Sequence, residues 1–383
     1  VFQATPLPLP LLAFFSPTRA ELTRAVSQIA GPVPFAPISI DPAAHILWFL
    51  TIGGCTAVFF LVRNLTFRFQ NRLFVAFLPL AVVAGMEAIL GLLQIAGGAE
   101  QAMGSYNSRD HYCCILELTL PISVAFGVLF FSQRGESATL WPILKAIGCW
   151  LLSGLLMLGV LFSLSRAGWI DSLLSLLLLS IFILFPRTRS NGWRLAILAG
   201  LLFLVFAVFL IASPGTMLNR LVYTMTPDQE GRIDIWRELI PLTRDFRWFG
   251  AGLMGFGPAF LKYQAFVNSK TIDFAHNDFL QYLIELGLFG FAALMASLAG
   301  IVWPVAQGSW FSGSDKRVLL VGCLASAFAL FVHSLVDFNL YIPANMFTFA
   351  WILGFGSALG AFPRKDTGGV IPQQAVPEEA IEP

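Results

Sequence analysis

Charge is what this chain has least of. Asp, Glu, Lys and Arg make up 12% of its 383 residues, against 57% hydrophobic residues, where a water-soluble domain carries about 25% charge. So few charges do not cover a water-facing surface of this size, and lipid is the expected solvent for much of it. The formal net charge of +1 leaves no electrostatic footprint for nucleic acid. No CxxC pair is present, and Cys55, Cys113, Cys114, Cys149 and Cys323 all fall in apolar runs, so they read as small buried hydrophobes. The lack of HExxH and of any His/Cys ligand set argues against a metal site. No GxSxG or Walker A stretch occurs, and no cofactor is expected. The opening residues carry no basic n-region of a secretory signal. They read as an extramembrane loop, so further helices are expected upstream of Val1.

What is abundant is the long apolar run. A spanning helix needs about 20 mostly apolar residues, and nine stretches qualify: 44–62, 73–96, 111–132, 141–163, 166–186, 194–212, 279–303, 317–337 and 343–362. The expected fold is an all-α polytopic membrane protein. Its parts are an extramembrane or interfacial segment (1–43), six spans (44–212), a long, partly helical loop (213–278), three spans (279–362) and a disordered tail (363–383). Every second connection is basic, through Arg63, Arg68 and Arg72, Arg134 and Lys145, Arg187, Arg189 and Arg194, Lys316 and Arg317, and Arg364 and Lys365. Those connections are expected to be cytoplasmic. The 213–278 loop then lies outside, with the 97–110 loop and the turns at 163–166 and 337–343.

Ionisable residues inside spans are costly and are functional candidates for that reason. Here they are Glu87, Glu117, Arg166, Asp171, Glu285, His333 and Asp337. With the orientation above, all fall in the outer half of the membrane. Glu117 and Asp171 lie about 8–9 Å below the outer ends of their spans, at 1.5 Å per residue. The grouping suggests a polar cavity open to the outside; separate ion pairs between helices are the structural alternative.

Four segments carry candidate chemistry. In Ser163-Leu164-Ser165-Arg166-Ala167-Gly168-Trp169, small residues let two helices pack closely. Arg166 emerges there with a planar fork suited to phosphate, or else to a lipid headgroup or Asp171. In Gly231 to Arg237, helical spacing puts Ile233, Trp236 and Ile240 on one apolar face and leaves Arg232 exposed. The run Phe249 to Gly257 contains a literal GxGxxG at Gly250, Gly252 and Gly255. No βαβ unit surrounds it, so it reads as a glycine turn packing a loop onto the membrane face. In Ala275 to Tyr282, Asn277 or Asp278 is placed to cap the seventh span. His276 then sits at the loop–membrane junction, at the level of Arg166, where an imidazole suits general base work. Gly104 to Tyr112 adds Arg109 and His111 on the same side, and His333 and Asp337 stand at i, i+4 near an outer helix end.

Together these segments resemble the O-antigen ligase and O-antigen polymerase superfamily of bacterial envelope glycosyltransferases. The matching pieces are Ser-x-Ser-Arg-x-Gly at 163–168, Gly-Arg-x-x-x-Trp at 231–236, the Gly-x-Gly run before residue 257, and His276-Asn277 leading to Leu280, Gln281, Glu285 and Gly287. The Gly104 to His111 entry and the 333–337 helix end are similar as well. The resemblance implies a C-type, membrane-embedded glycosyltransferase that requires no metal. Its donor would be a glycan on undecaprenyl pyrophosphate, and its acceptor a glycan or lipid A-core type molecule, at the outer (periplasmic) face of the bacterial inner membrane. By motif match, Arg166 and Arg232 would hold the donor pyrophosphate, and His276 would deprotonate or orient the acceptor hydroxyl. Arg109, His111, Asn277, Glu285, His333 and Asp337 are the expected substrate-binding residues around them. Ligase, polymerase and protein-glycosylating branches share these motifs. Two readings of a different class stay open: a transporter for an anionic solute, and a non-catalytic assembly protein.

Overall fold

The computed structural model describes residues 1–135, 139–184, 232–264, 271–311 and 314–361. The expected sixth span (194–212), Arg187, Arg189 and Arg194, Gly231, and the tail with Arg364 and Lys365 lie outside the described residues. Two short helices come first, α1 (Leu9–Phe15) and α2 (Pro17–Ala30). There follow α3 (Pro42–Arg68), α4 (Phe74–Ala96), α5 (Arg109–Ser132), α6 (Trp141–Phe162), α7 (Arg166–Leu184), α8 (Arg232–Asp245), α9 (Phe256–Phe260), α10 (Asp278–Phe311), α11 (Ser314–His333) and α12 (Pro343–Ala361). Eight helices among the described residues are long and apolar enough to cross a membrane: α3 to α7 and α10 to α12. They coincide with the other eight expected stretches. The chain is an all-α polytopic membrane protein.

α5 is the central helix. From His111 to Phe130 nearly every residue is buried, against α6, α7 and α11. α10, by contrast, turns most of its surface outward, as a helix solvated by lipid does. Close approach at the centre depends on small residues. At Gly168 of α7, a Cβ would stand 2.0 Å from Cys113 Sγ of α5.

The termini gather the connections at one end of the bundle. Ala102 N–H donates to Phe162 O at 2.8 Å, and Tyr106 Oη–H to Asn345 Oδ1 at 3.1 Å. The N-terminal segment lies at this end too. Strand β1 (Leu7–Pro8) pairs antiparallel with β2 (Phe35–Ala36). Gln3 Nε2 donates to Phe249 O at 2.6 Å and Glu285 O at 2.7 Å, and Asp41 Oδ1 caps α3 through Ala44 N–H.

Seated beneath that segment is the glycine run. α10 is broken at Gly287, whose φ is 68°, and a break leaves helix carbonyls without partners. Ala251 N–H takes Ile284 O and Gly252 N–H takes Glu285 O, both at 2.9 Å, while Leu288 N–H donates to Arg247 O at 2.7 Å. A Cβ at Gly287 would stand 2.4 Å from the Trp248 carbonyl, and one at Gly250 2.2 Å from Glu285 O. Glycine is therefore needed on both sides of the contact. The run is a loop docked on helix ends, as its lack of a βαβ frame suggests.

The expected face of α8 needs correcting. Ile233 and Ile240 are exposed, and the buried stripe is Ile235, Leu239, Leu242 and the following Phe246. Both stripes obey helical spacing. Packing against Phe256, Phe260, Ala275 and Ile284 selects the second, and that rotation half-buries Arg232 instead of exposing it.

Candidate functional site

The site is assembled on the frayed end of α11. The expected span ran to 337, but the helix stops at His333 and residues 334–337 turn away with their carbonyls free of helical partners. Neighbouring donors take all four. Asp278 N–H donates to Ser334 O and Asp337 O, at 2.9 and 3.1 Å. Asn277 Nδ2 donates to Leu335 O at 2.8 Å, and Arg232 Nη1 to Val336 O at 2.5 Å. Buried carbonyls must be satisfied, and satisfying these draws residues 232, 277 and 278 to one point.

His276 lies between two pinned neighbours. Ala275 O accepts from Trp236 Nε1 at 2.8 Å, and Ala275 N–H donates to Gln281 Oε1 at 2.9 Å. Asn277 Oδ1 caps α10 by accepting from Leu280 N–H at 3.0 Å. Held from both sides, His276 adopts a left-handed φ of 50°, a conformation a non-glycine residue keeps only when its surroundings impose it. Arg232 and Trp236 are one helical turn apart on α8, so that helix both reaches the 334–337 turn and holds the backbone beside His276.

Asp337 is the centre of the group. Its carboxylate has His276 Nδ1 at 3.5 Å, His111 Nε2 at 3.8 Å and His333 Nε2 at 4.0 Å. These are ion-pair distances, longer than formed hydrogen bonds. Three of the chain's four histidines thus converge on one carboxylate. The fourth, His45, is an acceptor for Leu253 N–H at 2.9 Å. Burial alone would push the Asp337 carboxyl upward. His276, then His333, His111 and Arg232, outweigh it and hold Asp337 down at about 2. Its side chain is 4% exposed and that of His276 36%, so the imidazole has one edge on a buried anion and the other open. Phe338 fills the gap between His111 and His276, edge-on to both, with Phe274 stacked on it at 4.1 Å.

Behind Asp337 is a fully buried trio. His333 Nδ1 stands 2.8 Å from Glu117 Oε1 and 3.4 Å from Asp171 Oδ2. Together with Asp110 and Asp337, these are the donor types a divalent cation takes. In a tetrahedral shell with bonds of about 2.0–2.2 Å, ligand atoms stand about 3.3 Å or more apart. The His333–Glu117 contact is a hydrogen bond instead.

The remaining expected residues divide. Arg109 donates to Gln101 Oε1 at 2.9 Å and neighbours Asp110, at the rim of the group. Arg166 begins α7, five residues before Asp171, and is half-buried. Among the described residues its guanidinium has no hydrogen-bond or ion-pair partner, and no described contact joins it to Arg232 or His276. Glu285 stands apart. Its carboxylate accepts from Met254 N–H, Phe256 N–H, Gln281 Nε2 and Tyr341 Oη–H at 2.7–3.3 Å, so it holds the glycine loop. Glu87 accepts from Ser105 N–H and Oγ–H at 2.9 and 2.6 Å, and so fixes the loop ahead of α5. Trp236, Asp278 and Gln281, named in the sequence as an apolar-face residue, a cap candidate and a motif member but not as site residues, work through hydrogen bonds across the fold.

Beside the site, an apolar cavity of about 440 Å³ lies between α3, α10 and α12, walled by residues such as Ile52, Phe59, Leu298 and Leu353. Asp278 reaches its wall, and is tied to the site by accepting from Ser334 Oγ–H and Leu340 N–H at 2.7 and 3.0 Å.

A bundle of spanning helices with arginine, histidine and carboxylate gathered at one end defines a polytopic membrane protein with a charged, membrane-level site. A family model described as O-antigen ligase matches residues 151–295. Over that stretch the chain is similar to the O-antigen ligase family, whose members are membrane glycosyltransferase-like enzymes. The matched stretch holds Arg166, Arg232 and His276, while His111, Glu117, His333 and Asp337 lie outside it. No curated protein matches the chain.

Proposed function

We propose that this protein transfers a glycan from a polyprenyl diphosphate to an acceptor hydroxyl, at the outer face of the cytoplasmic membrane. The observation that carries the reading is the meeting of Arg232 and His276 at Asp337, beside an apolar cavity. Asp337 faces His276 Nδ1, which favours the tautomer with its proton on Nδ1 and leaves Nε2 as the base. His276 Nε2 takes the acceptor hydroxyl proton as that oxygen bonds to the donor's anomeric carbon. The bond from that carbon to the diphosphate oxygen breaks, and polyprenyl diphosphate leaves with the electron pair. Arg166 and Arg232 supply the positive charge that a leaving diphosphate needs, so no step is routed through a metal. The cavity suits hydrocarbon, as a lipid-linked donor requires. Arg109 and His111 border the acceptor side, and Asn277 and Glu285 act through the backbone they hold. The site faces the periplasm in this reading, because Arg68, Arg72, Arg134, Lys316 and Arg317 crowd the opposite end of the bundle. Ligase and polymerase differ only in the acceptor, and both are compatible with this geometry.

The test is transfer by the full chain in lipid, from an undecaprenyl-pyrophosphate glycan to lipid A-core or to a second lipid-linked glycan. Transfer that is lost in Arg166→Ala, Arg232→Ala and His276→Ala, with membrane insertion unchanged, supports the reading. Full transfer in all three variants would falsify the assignment, and solute flux without glycan chemistry would favour a transporter. Labelling of Arg232→Cys from the outside tests the orientation.

A further inference from the structure

The transfer chemistry leaves one ionisable group unexplained. Glu117 of α5, Asp171 of α7 and His333 of α11 meet inside the bundle, each at most 1% exposed. Their contacts are short: 2.8 Å from His333 Nδ1 to Glu117 Oε1, and 3.4 Å to Asp171 Oδ2. The other ring nitrogen, Nε2, points to Asp337 Oδ2 at 4.0 Å and has no hydrogen-bond partner in the described structure. Three helices thus bring two acids and one base to a place water does not reach, directly behind the carboxylate that faces His276.

Charge counting decides its state. With every group ionised, the trio would carry a net negative charge beside the anionic Asp337. An unbalanced charge in an apolar interior costs far more than a balanced one, and two carboxylates sharing one site hold a proton between them. The neutral arrangement is an imidazolium, one carboxylate at the shorter contact and one carboxylic acid at the longer. The thiols of Cys113 and Cys114 adjoin Glu117, and buried thiols stay protonated. The other charges felt here are Asp110 and His111 on α5, and Asp278 on α10. Arg232 acts on Asp337 from α8.

We propose that His333, kept as an imidazolium by Glu117 and Asp171, is a positioning residue that shares the charge of Asp337 with His276 and so sets how strongly His276 holds a proton. This rests on the reading of His276 as the proton acceptor. An unshared Asp337 would hold the His276 imidazolium tightly and keep the base protonated. With His333 positive on its far side, Asp337 still orients His276 while its charge is divided between two rings. Deleting the His333 charge therefore moves His276 protonation to higher pH, whereas deleting Asp337 moves it lower. A group that merely fills space moves it in neither direction.

The experiment follows His276 directly, in the full chain in nanodiscs. The rate at which diethyl pyrocarbonate modifies His276 is measured against pH and read by peptide mass, since only the unprotonated ring reacts. The expected midpoint rises by about one pH unit in His333→Gln and in the double variant Glu117→Gln/Asp171→Asn, and falls in Asp337→Asn. The acid limb of the transfer rate should move with it. A midpoint that stays put or falls in folded His333→Gln and in the folded double variant would overturn the proposal. The wild type supplies a check that needs no substitution: with ¹⁵N-labelled histidine, one imidazole should be doubly protonated at neutral pH, and its absence would also overturn the idea. These readouts need no turnover. A protein that shows the shifts but transfers no glycan under any condition would sink the functional reading and leave the charge arrangement standing.

Discussion

Glu285 and Asp337 are both buried carboxylates at the same end of the bundle, yet their surroundings differ in kind. Glu285 is ringed by donors at hydrogen-bond distance, two from backbone and two from neutral side chains. Asp337 is ringed by three imidazoles at 3.5–4.0 Å. A carboxylate saturated by fixed neutral donors has no freedom to respond to a reacting group, and it serves architecture. One surrounded by titratable rings, close but not locked, changes its interactions when a proton moves. The contrast separates two acids that sequence reading had grouped together as binding residues.

The most severe way to test that division is to remove the proposed base. His276→Ala should lower glycan transfer by about 100- to 10,000-fold at a stability cost of no more than about 2 kcal/mol, as read by turnover and a melting curve in detergent. Glu285→Ala should do the reverse. It strands four donors, so a loss of about 4 kcal/mol of stability is expected at about 1 kcal/mol per hydrogen bond, and any activity loss should track the folded fraction. A Glu285 variant that melts like wild type but fails to transfer would reverse the comparison.

Acid provides a milder probe. Asp337 is held at about 2, below its ordinary 3.8. A depressed carboxyl contributes stability that is fully present above its unfolded value and is lost as pH falls through the folded one. About 2 kcal/mol should therefore disappear between about pH 4 and pH 2, and Asp337→Asn should flatten that part of the pH–stability curve. The smallest expected effect is that of Trp236→Phe. It deletes the hydrogen bond to Ala275 O, costing about 1 kcal/mol and about fivefold in transfer through looser placement of His276.

Much of the fold was legible in the chain. Eight of the nine expected spans appear as helices among the described residues, because twenty apolar residues in a row have no stable alternative to a membrane helix. The shared depth of Glu117, Asp171 and His333 was legible too, since it follows from counting residues inward from helix ends. Less visible was which face of α8 is buried. Ile233–Ile240 and Ile235–Leu242 are equally periodic, and contact with Phe256 and Phe260 chooses between them. The end of α11 was also misplaced. Nothing in His333-Ser334-Leu335-Val336-Asp337 forbids a helix, and the turn exists because Arg232, Asn277 and Asp278 take its carbonyls.

Spanning helices, their approximate bounds, and the side of the bundle that holds each charged residue follow from the order of residues along the chain. They depend on local hydropathy and on the rise of a helix, and no distant partner enters. The meeting of three imidazoles at Asp337, and the separation of Glu285 from that group, come from the packed molecule instead. They are set by hydrogen bonds between distant segments, such as Arg232 to Val336 O, 104 residues apart, and satisfaction of a stranded carbonyl is a property of the partner that reaches it.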